Sequence, residues 1–286
     1  MTTPTIADTQ PPDLNQCEAE PIHIPGSIQP YGVLLALEGP ELRIGQVSLS
    51  CEALLGIAAS ALLGRRLASV LGPALAEAVQ GALTAPADQF GLSPSFRWTR
   101  RPDAATFVGH LHRSDSATIL ELEPASTSKP QLSETLAQVM RRFSLLRTQK
   151  DLSLKLASAT ALFRHLTGYD RVMVYRFDAD WHGEVVAEAR RGDLEPYLGL
   201  HYPASDIPSQ ARQVFVVNPY RLIADIDYRP SPLLPLISPV TDLPLDLSRS
   251  LLRSVSPVHL EYLRNMGVRS TLTISLLEEG QLWCLI

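Results

Sequence analysis

A cysteine near the N-terminus is the first residue that could bond covalently to a small molecule. Cys17 lies six residues before His23, in the segment CEAEPIHIPGSIQPYG, whose Pro and Gly residues indicate turns. A thiolate nucleophile needs solvent access and reach, and a mobile polar arm offers both. A solvated thiol without a function is the competing interpretation. Cys51 and Cys284 lie in apolar surroundings and are expected to pack as small hydrophobic side chains.

A histidine on a predicted helix is the second candidate. Residues 256–267 have Ser at the N-cap, Pro at the first helical position and Gly after the end. Helical spacing places His259 on one face with Tyr262, Leu263 and Met266. A histidine on such a face is more commonly a core residue than a ligand, so both interpretations remain open.

Three charged residues could bind a polar ligand. The sequence YPASDIP, residues 202–208, predicts a turn whose last Pro starts a helix over residues 209–217. Asp206 within it could serve only as a cap. Arg221 and Arg253 could be surface charges, but the planar fork of a guanidinium is suited to binding carboxylates. His110 and His112 share one face of a predicted strand without a third metal ligand, so we interpret them as structural.

The composition narrows the classes of protein. Hydrophobic residues make up 45% of the 286 residues, which is enough to bury cores. The net charge is −5 and no long basic run occurs, so an electrostatic nucleic-acid footprint is not expected. Membrane-spanning stretches and a signal peptide are not indicated either. Three distant cysteines exclude a disulfide scaffold or a structural zinc site, and we expect a cytosolic protein with reduced thiols.

The hydrophobic pattern divides the chain in two. Residues 1–16 predict a flexible arm. The first globular region has a strand at residues 33–37, helix formers over residues 52–83, and two strands at residues 105–113 and 117–123. This order is typical of a small α+β sensor domain.

The second region follows a turn-rich break, PASTSKPQ, and a connecting helix predicted from Leu132. The pattern then predicts a helix from about residue 152 to Gly168, a hairpin, and a final pair of strands joined by Glu-Glu-Gly. The strands are expected at residues 171–177, 184–189, 268–277 and 282–286. Because the sequence stops inside an apolar strand, we interpret the second domain as truncated.

Together these segments resemble the bacteriophytochromes, the biliverdin-binding red-light photoreceptors. The similarity runs from about residue 15 to residue 286 and rests on five stretches in the family's order: CEAEPIHIPGSIQPYG, YDRVMVYRF, GEVVAEARR, YPASDIPSQAR and SPVHLEYLRNMGVRSTLTISL. The resemblance implies an α+β fold in which each domain has a central antiparallel sheet with flanking helices. A PAS domain (17–125), a linker with the connecting helix (126–150) and a GAF domain (151–286) would follow the arm.

The resemblance also implies a site for biliverdin, a linear tetrapyrrole. Cys17 would attach the pigment as a thioether, and the Asp206 carbonyl would accept from the pyrrole N–H groups. His259 would lie beside the pyrroles, and Arg221 and Arg253 would hold the propionates. The other implied pocket residues are Thr271 and Thr273 near the second propionate, and Tyr175, Tyr202 and Tyr262 around the isomerising D ring.

Several positions qualify this comparison. Phe215 stands where the family often has a tyrosine, and Cys284 replaces a usual glycine. Plant-type and cyanobacterial phytochromes attach their bilin where this sequence has Val258, which leaves Cys17 as the anchor and biliverdin as the pigment. The family also forms a knot, in which Ile28 would be the threaded residue; knots are otherwise almost absent from proteins.

We therefore expect a red/far-red photoreceptor module that signals by photoisomerisation and has no enzymatic activity. A kinase or other output domain would lie outside this chain, no nucleic acid or membrane would bind, and a homodimer is left open. One alternative is a PAS/GAF module that binds a cyclic nucleotide or a protein, or that no longer binds bilin because it is truncated. The other is an enzyme with Cys17 as nucleophile and His23 as base.

The interpretation as a truncated domain has consequences of its own. Loss of the continuation of the strand at residues 282–286 and of a closing helix would leave an unpaired strand edge and exposed apolar surface, which favour aggregation. We expect poor assembly with biliverdin and incomplete photoconversion.

Overall fold

The computed structural model describes residues 20–84, 95–100, 105–114, 117–125 and 146–286. Cys17 and most of the predicted connecting helix lie outside these ranges. Within them, no helix is both long and apolar enough to cross a membrane.

The first sheet has seven antiparallel strands, and one of them comes from the second half of the chain. The order is β1-β11-β3-β2-β6-β5-β4, with β11 hydrogen-bonded between β1 and β3. The strands are β1 Ser27–Ile28, β2 Val33–Glu38, β3 Arg43–Ser48, β4 Ser95–Thr99, β5 Thr106–Ser114, β6 Ala117–Pro124 and β11 Ser231–Leu234.

Four short helices cover one face of this sheet: α1 Cys51–Leu55, α2 Ala59–Leu62, α3 Leu67–Leu71 and α4 Pro73–Thr84. The predicted helical stretch is broken because Gly56 and Gly72 adopt positive φ at the ends of α1 and α3, which an L side chain would resist. Strand β2 is buried on both faces, so it lacks the polar alternation of a half-exposed strand.

Segments from the second half of the chain cover the opposite face of the first sheet. Leu34 of β2 packs there with Leu245, Leu247 and Leu252. This apolar layer joins the two halves of the chain.

The second sheet has six antiparallel strands in the order β10-β12-β13-β7-β8-β9. Its strands are β7 Arg171–Phe177, β8 Gly183–Arg190, β9 His201–Tyr202, β10 Tyr220–Ile223, β12 Thr271–Glu278 and β13 Gln281–Leu285. The helices are α5 Leu152–Thr167, α6 Ser209–Val217 and α7 Pro257–Asn265. The predicted α+β architecture is confirmed, and β13 is hydrogen-bonded to β12 on one side and to β7 on the other.

The N-terminal segment is held against the second half of the chain by backbone hydrogen bonds. The His23 carbonyl accepts from the Leu247 N–H at 2.7 Å, and the Gln29 N–H donates to the Leu252 carbonyl at 2.7 Å. Ile28 between them is fully buried. The segment is thereby fixed beside residues 247–252, while the knot itself stays a prediction.

Candidate functional site

A cavity of about 1710 Å³ is lined by β7, β10, β12, α6, α7 and the turn before α6. Pockets for drug-sized ligands hold roughly 300–1,000 Å³, so this cavity suits a longer molecule. All ten predicted pocket residues within the described ranges line it: Tyr175, Tyr202, Asp206, Phe215, Arg221, Arg253, His259, Tyr262, Thr271 and Thr273. Cys17 lies outside those ranges, and Glu20 and Ile22 also line the cavity.

Strand register places three of these side chains together. Arg221 on β10 is the cross-strand partner of Thr273 on β12, and Thr271 lies two residues earlier on the same face. The two hydroxyls and the guanidinium therefore line one wall of the cavity.

The two arginines form the strongest electrostatic feature of the cavity. Arg253 is only 6% exposed; one of its terminal nitrogens donates to the Ile22 carbonyl at 2.6 Å. Its Nε atom is buried and has no hydrogen-bond partner in the described part of the chain. Burial and the nearby charge of Arg221 lower the pKa of Arg253 to about 9. The surroundings therefore disfavour this cation unless an anion joins it.

Arg221 is also buried and donates to backbone carbonyls. It contacts the carbonyls of Leu251 at 3.4 Å and Ser254 at 3.2 Å, and that of Arg253. Of the ion pairs among the described residues, none involves Arg221 or Arg253. Two buried guanidinium groups at one cavity, neither of them paired with a carboxylate among the described residues, favour an anionic ligand.

His259 and Tyr262 face the cavity from α7, as their spacing predicts. Their rings are nearly parallel, with centroids 6.2 Å apart and an interplanar angle of 11°. The His259 side chain is exposed to the open cavity, although protein atoms enclose the cavity around it. Burial first, and then the charge of Arg221, lower the pKa of His259 to about 4, so the imidazole is neutral at pH 7.

The low pKa of His259 predicts a pH-dependent stability. Between the usual histidine pKa near 6.5 and about 4, the unfolded chain binds a proton that the folded chain does not. The free energy of unfolding should therefore fall as the pH is lowered through this window. Urea unfolding at pH 7 and pH 5 measures this change. Between these two pH values, His259→Gln should lose less free energy of unfolding than the parent.

His110 and His112 also have lowered pKa values, but both remain in each of these two proteins. The difference between the proteins therefore isolates His259. An equal loss of stability in both would contradict the assignment of a neutral His259.

Aromatic side chains form another part of the cavity wall. The Tyr175 ring centroid lies 5.3 Å from that of Phe177 and 5.8 Å from that of Tyr202, and Phe215 packs in the same cluster. Gly183 makes room for Tyr175, because a Cβ there would lie 1.7 Å from the Tyr175 Cζ atom. Burial is the first cause that raises the pKa of Tyr175 to about 12, so its hydroxyl stays a hydrogen-bond donor.

Asp206 lies in the 3-10 turn Ala204–Asp206 at the cavity. The Tyr262 hydroxyl donates to Asp206 Oδ2 at 3.5 Å. Arg212 holds the turn by donating to the carbonyls of Ile207 at 2.5 Å and Ala204 at 3.2 Å. Sequence reasoning missed Arg212, although it closes the quoted stretch YPASDIPSQAR.

The remaining cysteines are unsuited to attachment. Cys51 and Cys284 are fully buried, as predicted, and burial raises the pKa of the Cys284 thiol to about 12. Val258 lines the cavity but carries no nucleophile.

Family models match both halves of the chain. A model described as a PAS fold matches residues 17–125, and one described as a GAF domain matches residues 151–286. A bacteriophytochrome from Xanthomonas campestris pv. campestris (strain 8004) is 46% identical over 280 residues, which cover 97% of this chain and 43% of that protein. The chain thus spans less than half the length of this curated relative.

Solved structures agree with the sequence matches. The chromophore-binding domain of Stigmatella aurantiaca phytochrome P1 has a TM-score of 0.84 and 44% identity, covering 94% of this chain and 89% of that domain. The chromophore-binding domain of an unusual bacteriophytochrome from R. palustris has a TM-score of 0.84 and 42% identity. The match covers 94% of this chain and 87% of that domain. With near-complete coverage on both sides and identity above 40%, the chain belongs to the bacteriophytochromes.

Proposed function

We propose that this chain is the photosensory module of a red/far-red light receptor and binds biliverdin. The observation that carries the proposal is the pair of buried arginines at the cavity. Among the described residues, no carboxylate lies within ion-pair distance of Arg221 or Arg253, and Arg253 keeps a buried Nε atom without an acceptor. A linear tetrapyrrole with two propionates supplies both the length and the negative charge that such a cavity favours.

Different residues of the cavity would bind the two propionates. Arg253, which lines the cavity, would donate from its guanidinium to one propionate, while Arg221 adds positive charge and fixes the backbone that carries Arg253. Thr271 and Thr273 would donate hydroxyl hydrogen bonds near the other propionate. These roles agree with the positions of the side chains on one wall.

The pyrrole region would be contacted by neutral polar groups and aromatic rings. Asp206 offers a backbone carbonyl as an acceptor, and the neutral His259 offers a ring nitrogen. Tyr175, Tyr202 and the partly buried Phe215 would exclude water from one end. A bound tetrapyrrole supplies absorption of red light and isomerisation of one double bond.

Cys17 is the proposed attachment residue. The described chain begins at residue 20, and Glu20 and Ile22 line the cavity, so the segment that follows Cys17 borders the site. Glu20 accepts a hydrogen bond from the Ser256 hydroxyl at 2.5 Å, just before α7. This contact supports an anchor on the N-terminal side of the cavity.

The proposal concerns the photosensory step. A kinase or other output domain as partner, a homodimeric assembly and a location in the cytoplasm stay predictions.

Incubation with biliverdin tests the function directly. The purified 286-residue chain should develop red absorption, and red light should change that spectrum reversibly. For comparison, calorimetry measures whether the same chain binds cyclic AMP or cyclic GMP. Nucleotide binding without any spectral change on addition of biliverdin would contradict the proposal.

A further inference from the structure

A buried carboxylate from the first domain contacts the backbone that carries Arg253. Glu121 on β6 is fully buried. Its carboxylate accepts hydrogen bonds from the Ser250 hydroxyl, the Leu251 N–H at 3.0 Å and the Leu252 N–H at 2.8 Å. The sequence signal for such a residue is an acidic side chain between two leucines of a predicted strand.

This carboxylate lies in an apolar layer, where a charge is costly. Its face of the first sheet also carries Leu34 and Ile119, which pack with Leu252. His112 Nδ1 is 3.8 Å away, but burial lowers the pKa of His112, so it is neutral at pH 7. Within the described ranges, no lysine or arginine forms an ion pair with Glu121. The three hydrogen bonds therefore offset part of the desolvation cost of the carboxylate, and the charge of Arg221 attracts it from beyond ion-pair distance.

The same segment is fixed from its other side. Arg221 donates to the carbonyls of Leu251, Arg253 and Ser254, and Asn218 Nδ2 donates to the Ser250 carbonyl at 3.2 Å. The carbonyls of residues 250–254 thus face donors from the second domain and the N-terminal segment, while the N–H groups of Leu251 and Leu252 depend on Glu121.

We propose that Glu121 is a positioning residue for Arg253, so that the first domain contributes to anion recognition in the cavity of the second. Holding the N–H groups of residues 251 and 252 fixes the direction in which the next residue extends its side chain. The guanidinium of Arg253, which lines the cavity, is then held at a defined place. This inference rests on the proposed function, because the anion is taken to be a propionate of biliverdin.

Binding of two related pigments tests the proposal. A Cys17→Ser background makes binding reversible, and absorption titrations then give Kd for biliverdin and for its dimethyl ester, which lacks both carboxylates. Glu121→Gln should weaken binding of the free acid about tenfold, the size of one weakened hydrogen bond to a charged group. The Kd for the ester should change much less, because the ester has no carboxylate for Arg253 to bind.

Glu123→Gln is the matched control. Glu123 lies two residues along on the same face of β6 and approaches His110 Nε2 at 3.9 Å; no hydrogen bond joins it to residues 250–254 in the described chain. Burial and then the charge of Glu121 raise the pKa of Glu123 to about 7, so this variant removes a partly ionised carboxyl nearby without touching the segment. Both Kd values should equal those of the parent.

Amide hydrogen exchange gives a readout that needs no pigment. Exchange at Leu251 and Leu252 should accelerate in Glu121→Gln and stay at the parent rate in Glu123→Gln. Should Glu121→Gln fail to fold, Ser250→Ala removes one of the three hydrogen bonds and should weaken binding of the acid in the same direction.

The outcomes separate this proposal from the function on which it rests. If the parent binds biliverdin and Glu121→Gln binds it equally well, or loses acid and ester affinity alike, Glu121 is not a positioning residue. Absence of binding in the parent would overturn the proposed function and with it the role of Glu121 as a positioning residue for pigment binding. The exchange rates would then still show whether the carboxylate holds the segment.

Discussion

Replacing Cys17 with serine is expected to abolish covalent attachment of biliverdin completely. A thioether needs a sulfur nucleophile, and a serine hydroxyl is not ionised enough at neutral pH to replace it. The pigment should still enter the cavity, because the arginines and aromatic side chains remain. A denaturing gel viewed for bilin fluorescence should show a band for the parent and none for Cys17→Ser, while the native absorption spectrum of the variant still reports bound pigment.

The other cysteines provide the controls for this experiment. Cys51→Ser and Cys284→Ser each remove a fully buried thiol, and the raised pKa of Cys284 keeps that thiol protonated. Both variants should keep the fluorescent band, although each places a hydroxyl in an apolar core and will lower stability. A fluorescent band that persists in Cys17→Ser, or disappears in Cys284→Ser alone, would show that the anchor lies elsewhere.

Local sequence patterns were sufficient for most of the individual elements. Helix α5 has Asp151 at its N-cap, accepting from the Leu154 N–H, and ends at Gly168 with positive φ. The β7–β8 hairpin follows from its β-branched and aromatic composition. These features depend on neighbours in sequence, which is why a pattern could predict them.

Contacts between distant parts of the chain were not predictable in this way. Strand β11 pairs with β1 and β3, about 200 residues earlier, and nothing in Ser231–Leu234 specifies that partner. The same limit applies to the site. Arg221 and Arg253 could be named as carboxylate ligands, but the contact of Glu121 with Ser250 joins residues 129 positions apart and required the fold.

The structure also distinguishes two arginines that the sequence treats alike. Arg221 donates to three backbone carbonyls, whereas Arg253 retains a buried Nε–H without an acceptor in the described chain. Arg221 therefore has a structural task besides its charge, and a loss of binding after its replacement would be ambiguous. Arg253 is the better residue for a quantitative test of the anion site.

Arg253→Ala is expected to weaken binding of biliverdin by about 10- to 100-fold in the Cys17→Ser background. The loss corresponds to one charge-assisted hydrogen bond of about 1.5–3 kcal/mol. Arg253→Lys should fall between the parent and the alanine variant, because an ammonium keeps the charge but not the planar fork. Absorption titration against biliverdin and its dimethyl ester measures both effects.

Arg176→Ala is the control for loss of a positive charge. Arg176 is exposed on β7 and pairs with Glu184 at 2.7 Å, an interaction at the surface that contributes little to stability. Its replacement should leave both Kd values unchanged. If Arg253→Ala binds the free acid as tightly as the parent, Arg253 is not a propionate ligand. If Arg253→Ala loses equal affinity for the acid and the ester, Arg253 stabilises the cavity through packing. The unpartnered Nε atom is then no sign of an anion site.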